Sequence, residues 1–163
     1  MEAGLFDTRQ TLAGGRRTMA FGVTRKPTLH SGEAISAPKP IQVILARQLA
    51  TSLAMPIILV DNEGTLIFYN EPAELILGQR FEETGEISAD TWGKLFALVD
   101  EDRNPIAQED RPTMMALSQH KPYSRIVWMQ CGNREWRHVQ ITAYPLIGEE
   151  NQFLGAQMIF WEV

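Results

Sequence analysis

The residues with chemical potential in this chain are one cysteine, three histidines and two runs of carboxylates. Cys131 is the only cysteine, and it falls where a hairpin turn is expected, so it reads as a passive strand-end thiol. His30, His120 and His138 are scattered, without the spacing that a metal site requires, and no metal is expected. Asp100-Glu101-Asp102 and Glu109-Asp110 are the side-chain type that acid–base catalysis uses. The first run falls at a predicted helix end and the second at a helix start, where a solvated loop accounts for both. No Gly-rich phosphate loop, nucleophile elbow or His-Cys constellation is present. The chain is therefore not expected to be an enzyme.

Composition bounds the remaining choices. With 163 residues, 44% of them apolar, the chain has room for one domain and an appendage. A lone cysteine fits a reducing, cytoplasmic setting. No apolar run reaches the roughly 20 residues of a membrane helix, and no signal peptide is visible, so a soluble protein is expected. The net charge of −5 is unevenly divided. Residues 1–40 hold six basic and three acidic side chains, a balance of +3, whereas 41–163 hold nine and seventeen, a balance of −8. An acidic folded part argues against direct nucleic-acid binding, which needs a concentrated positive face.

The elements that would position a site follow from periodicity. Residues 1–40 lack a sustained period and are broken by glycine and proline, which predicts a flexible or disordered basic arm. Ile41, Ile44, Leu45, Leu49 and Leu53 lie at helical spacing, predicting an amphipathic helix within 41–55 that caps its own sheet or pairs with a second chain. Two short strands follow, joined by Asp61-Asn62-Glu63-Gly64. Asn70 is placed to cap a short helix that tolerates Pro72 and ends at Gly78. The segment 79–88 reads as loop, Trp92, Leu95, Phe96 and Val99 mark a helical face, and a last helix spans about 112–119. Three strands close the chain, with Pro145 stopping the second. The fold class is α+β, a five-stranded antiparallel sheet with short helices on one face.

Gly132-Asn133 signals a two-residue hairpin. With Cys131 and Arg134 flanking it, Ile126 faces Val139 and Met129 faces Trp136. That register puts Ile126, Trp128, Val139, Ile141 and Ala143 on an inner face. Val127, Met129, Trp136 and Tyr144 then form an outer face, more apolar than a solvated sheet side.

Several stretches together resemble a PAS domain. Pro56-Ile57-Ile58-Leu59-Val60-Asp61-x-x-Gly64 is similar to the family's opening hairpin, and Tyr69-Asn70-Glu71-Pro72-Ala73 through Gly78 to its entry into the first helix. Asn104-Pro105-Ile106, Asp110-Arg111-Pro112 and Ala116-Leu117 resemble the segment before the last three strands. Arg134-Glu135-Trp136, Tyr144-Pro145-Leu146 and Gly155 to Val163 resemble the family's ending. The resemblance covers about 41–163, with 56–163 as the PAS domain itself.

The resemblance implies sensing, with a ligand or cofactor held between sheet and helices and dimerisation through the leading helix. The expected function is a PAS sensor module that relays binding through protein–protein packing, in signal transduction or transcription regulation. A ligand-free dimerisation scaffold is the alternative. Gln157, two positions after Gly155, stands where flavin-binding LOV members carry a pocket glutamine. With Trp128, Val139, Ile141, Ile126 and Ile159 it makes the candidate pocket lining. Burying its amide costs about 1–3 kcal/mol unless something bonds it. The cofactor is left unknown: the Asn-Cys pair of LOV photochemistry is absent, and His120 is the only positional candidate for a haem ligand. Expected partners are a second copy, through Ile41, Ile44, Leu45, Leu49, Leu53, Val127, Met129, Trp136 and Tyr144, and a separate signalling output protein. Family members usually continue into an output domain beyond the point where this chain ends, so a single-domain protein or a fragment is expected.

Overall fold

The computed structural model describes residues 38–131 and 135–163. The predicted basic arm, up to residue 37, and the Gly132-Asn133 turn with Arg134 lie outside the described residues. Helix α1 (Ile41–Thr51) leads into strands β1 (Ile57–Asp61) and β2 (Leu66–Tyr69). Short helices α2 (Glu71–Leu77), α3 (Phe81–Thr84) and α4 (Ala89–Trp92) follow, then strand β3 (Ala97–Val99) and helix α5 (Pro112–Gln119). Strands β4 (Tyr123–Gln130), β5 (Trp136–Ile147) and β6 (Phe153–Glu162) complete the chain.

Local chemistry explains most of these boundaries. The Asp61 carboxylate accepts from the Glu63 and Thr65 amides at 2.9 and 2.8 Å and so closes the first turn. Asn70 caps α2 through the Ala73 amide, and Gly78, at φ 72°, ends that helix in the left-handed region. The strands form one antiparallel sheet in the order β2-β1-β6-β5-β4-β3. Six strands stand where five were expected. The sixth, β3, comes from the segment read as a helix through Val99: the helix stops at Trp92, and Leu98 and Val99 bury themselves by pairing with β4. Tertiary pairing here overrides an apolar spacing that suits a helix. Within the predicted loop 79–88, α3 and an Ile87 bridge to Leu66 form. Pro145 does not end β5. It pairs with Ala156 beyond the point where β4 stops opposite Ala143, on an edge where a missing N–H is tolerated.

The hairpin register differs from the expected one by a single residue. Val127 pairs with Val139, Trp128 with His138 and Gln130 with Trp136, leaving five residues between the strands instead of a two-residue turn. A slip of one position turns every side chain of β4 over. Val127 and Met129, expected outside, are buried in the main core with Val139, Ile141 and Ala143. Ile126 and Trp128, expected inside, face outward beside Gln140 and His138. Trp128 stacks on His138 at 4.6 Å, with the Arg103 guanidinium 3.9 Å from its ring centre.

Different elements pack on the two faces of the sheet, on the outer one only in part. The main core lies under α2, α4 and α5. A second apolar layer holds Ile57, Leu59, Ile67 and Leu154 under Val43 and Ala50 of α1. The helix therefore presents small side chains to its own sheet. Of the predicted stripe, only Leu53 packs against that layer, while Ile41, Ile44, Leu45 and Leu49 are exposed. Gly155 makes the switch between layers possible. Its φ is 138°, and a Cβ there would stand 2.0 Å from the Val60 carbonyl oxygen. The pairing shifts at this point, and Leu154 turns to the α1 layer while Ala156 turns to the main core.

The register has a direct consequence for stability. Met129 is 2% exposed and Ile126 39%. Met129→Ala should lower the unfolding free energy by about 2–5 kcal/mol and Ile126→Ala by less than about 1. Urea denaturation measures both, and the opposite ranking would contradict the register.

Candidate functional site

A small apolar space lies on the helix side of the sheet. It lies between α4, the start of α5 and β6, lined by Trp92, Phe96, Leu98, Met114 and Met158, with Gln108, Arg111 and Thr113 as its polar members. Its volume is about 10 Å³, the room of a single water. Each wall is held in place by identifiable bonds. The Trp92 indole N–H donates to the Gly64 carbonyl at 2.8 Å. Pro112 opens α5, where a missing N–H costs nothing. The Thr113 hydroxyl, buried under the helix, donates to the Met158 sulfur at 3.1 Å.

Arg111 is one of the residues that line this space. One guanidinium arm donates to the Gly93 carbonyl at 2.5 Å, and the group lies 5.6 Å from the Phe96 ring centre. Its Nε is shielded from solvent and has no partner. Burial pushes the guanidinium below its ordinary pKa. The space thus offers apolar walls, one cation and one amide, a combination suited to binding more than to bond-breaking.

The overall arrangement matches solved structures. The LOV protein of Rhodobacter sphaeroides aligns with a TM-score of 0.57 at 17% identity, over 76% of this chain and 68% of that one. The PAS domain of BvgS from Bordetella pertussis aligns at 0.51 and 14%, over 75% of this chain and 85% of that one. The chain has the PAS fold. The light-state dimer of the fungal blue-light photoreceptor Vivid aligns at 0.50 and 12%, over 83% of this chain and 99% of that one. Neither a family model nor a curated protein matches the sequence.

Within this PAS fold the expected pocket residues are dispersed. Val139 and Ile141 are in the main core, but neither lines the apolar space; Val139 instead borders an open groove of about 370 Å³ with Met55, Ile76 and Phe160. Ile126 and Trp128 face outward, as the register requires. Gln157 is 2% exposed, yet it pairs with Leu59 and Tyr144 on the α1 side of the sheet, where its Nε2 has no partner. Ile159 shares that side. The residue that β6 does send into the pocket is Met158. Trp136 and Tyr144 stay on the outer face, and burial pushes the Tyr144 hydroxyl upward in pKa. His120 ends α5 at φ 51° and stacks on Phe153 at 4.0 Å, away from the pocket lining. Among the described residues, no three His, Cys, Asp or Glu side chains converge as a metal site.

Sequence reasoning missed Gln108, Arg111, Thr113 and Met158 as pocket residues. One signal for Arg111 was available: a cation at a helix start opposes the helix dipole, so it calls for a reason. Of the carboxylates, Asp100 has a local role. Asp100 accepts from the Asn104 amide at 2.8 Å, and that bond lowers its pKa.

Cys131 is buried, and desolvation raises its pKa to about 11 despite the opposing pull of Arg137. At pH 8 its thiolate fraction is then about one in a thousand. Iodoacetamide should alkylate the folded protein at least roughly a hundredfold more slowly than an unhindered thiol. Rates comparable to free cysteine would contradict this burial.

Proposed function

We propose that this PAS domain is a sensor module, not an enzyme. A small molecule occupies the space beneath α5, and its presence is relayed by altered packing of α1 against the sheet or a partner. The observation that carries this reading is the apolar space at Trp92, Phe96, Met114 and Met158, into which Arg111 and Gln108 bring polarity. Pockets with apolar walls and few convergent polar groups are the usual form of a ligand site. Methionines at two walls allow it to widen, because their unbranched side chains repack readily. The binding reading is also supported by the carboxylate and thiol chemistry, since Asp100 is engaged by Asn104 and Cys131 is held protonated. The lone cysteine supports a cytoplasmic setting. No helix among the described residues is long and apolar enough to cross a membrane. Signal transduction or transcription regulation through a separate output protein is the corresponding role.

A second reading, an interaction scaffold without ligand, is favoured by α1. Ile41, Ile44, Leu45 and Leu49 are 41–57% exposed, and Trp136, Trp161 and Ile126 are exposed on the outer side of the sheet. A second copy is the partner proposed for this apolar surface. Vivid, by its description, forms a light-state dimer. In either reading α1 is the output surface.

Native mass spectrometry of protein purified from a metabolite-rich host tests both readings. The sensor reading expects a small-molecule adduct on wild type, and the homodimer expects twice the protomer mass, reduced to one in Leu45→Glu/Leu49→Glu. An adduct-free dimer would leave the scaffold alone. An adduct-free monomer would contradict both.

A further inference from the structure

Arg111 sits where electrostatics disfavours it. The start of a helix carries partial positive charge, which stabilises acids and repels cations. α5 has no side-chain cap and no acid in its first turn to offset this. Glu109 and Asp110 adjoin Arg111 in sequence, yet the ion pairs among the described residues are Lys39–Glu86, Arg80–Glu82 and Arg137–Glu162. No carboxylate there pairs with Arg111. Its bond to the Gly93 carbonyl accounts for one donor and leaves Nε, hidden from solvent, with no acceptor. A buried donor left unpaired is costly.

We propose that Arg111 is the anion-binding end of the pocket and that its ligand is a small organic carboxylate. This rests on the reading of the space beneath α5 as a ligand site. The carboxylate receives the free Nε–H and a second guanidinium N–H, the two-pronged geometry that arginine offers planar anions. Gln108 supplies an amide to the same head, and the apolar body lies against Trp92, Met114 and Met158. The charge balance selects a carboxylate over a phosphate. One guanidinium neutralises one negative charge, and the second charge of a phosphate monoester would stay uncompensated among apolar walls. The helix start adds to the attraction at no cost in further charged groups. Because the space has room for about one water, the ligand enters by displacing Met114 and Met158.

Phenylacetate and its neutral isostere phenylacetamide separate charge recognition from apolar binding. Each is titrated into the full chain, with the methionine methyl and arginine Nε–Hε NMR signals as readouts. Phenylacetate should shift the Met114, Met158 and Arg111 signals and bind at least tenfold more tightly than the amide. Arg111→Gln should erase that preference while keeping weak binding of the amide, and Arg111→Lys, which retains the charge and guards against a misfolded variant, should keep part of it. Equal affinity for the two probes in wild type overturns the role of Arg111 and leaves the pocket reading intact. If neither probe moves the Met114 and Met158 methyls, the pocket reading falls and this inference with it.

Discussion

One buried amide ties the elements of this domain together. Asn70 is 2% exposed and sits where α1, β1 and α2 meet. Its oxygen accepts from the Ile57 amide at 2.9 Å and from the Ala73 amide at 3.3 Å. Its nitrogen donates to the carbonyls of Ala50 and Met55 at 2.9 Å each, with Leu53 at 3.3 Å sharing a proton. The end of a helix leaves carbonyls without partners, and the start of another leaves amides without partners. Asn70 answers both needs at once. An aspartate would lose the donors and set a charge against three carbonyls; a longer or shorter side chain would miss one set. The cap helix, the first strand and the first helix under the sheet are thus connected through a single residue, and movement of one is felt by the others.

The second constraint is a sheet with two greasy sides. The main core is closed by short helices, and α1 packs on part of the other side. Gly155 lets β6 change its alternation within one residue, sending Leu154 to one layer and Ala156 and Met158 to the other. Met158 touches the pocket, while its neighbour Gln157 lies on the α1 side with an unpartnered amide nitrogen. Under the proposed sensor reading, displacement of Met158 would act on a strand whose opposite side is the bed of the cap helix. Pocket wall and cap-helix bed are thus neighbouring residues of one strand.

The elements were legible in the sequence where local chemistry decides. Asn70, Pro72 and Gly78 placed α2, Asp61 and Gly64 placed the first turn, and the order of strands in the last forty residues was readable. What failed was parity. In β6 both alternating sets, Ala156-Met158-Phe160 and Gln157-Ile159-Trp161, are largely apolar, because α1 packs on part of the outer side and Trp161 stays exposed there, so alternation carries no sign of direction. The same holds for Ile126-Trp128 against Val127-Met129, where the only guide was the loop length, and a two-residue reading of Gly132-Asn133 set the register one position off. Arg111 was hidden for a different reason: its significance comes from groups distant in sequence, Gly93, Phe96 and Met158, that no local pattern connects. The helix itself is legible from the apolar stripe of α1, but Val43, Ala46 and Ala50 pack on the sheet and leave Ile41, Ile44, Leu45 and Leu49 outside.

Asn70 couples the end of α1 to the first strand, so that the two open together and not separately. Native-state hydrogen exchange reads this directly at the Ile57 amide, whose partner is the Asn70 oxygen, with the Ile141 amide in the middle of the sheet as reference. With that coupling, the amides of Ile57 and Ala50 exchange with one common opening free energy, whether or not it reaches that of Ile141. Exchange of Ala50 at a much lower free energy than Ile57 would show that the cap helix detaches without the first strand and would contradict the account.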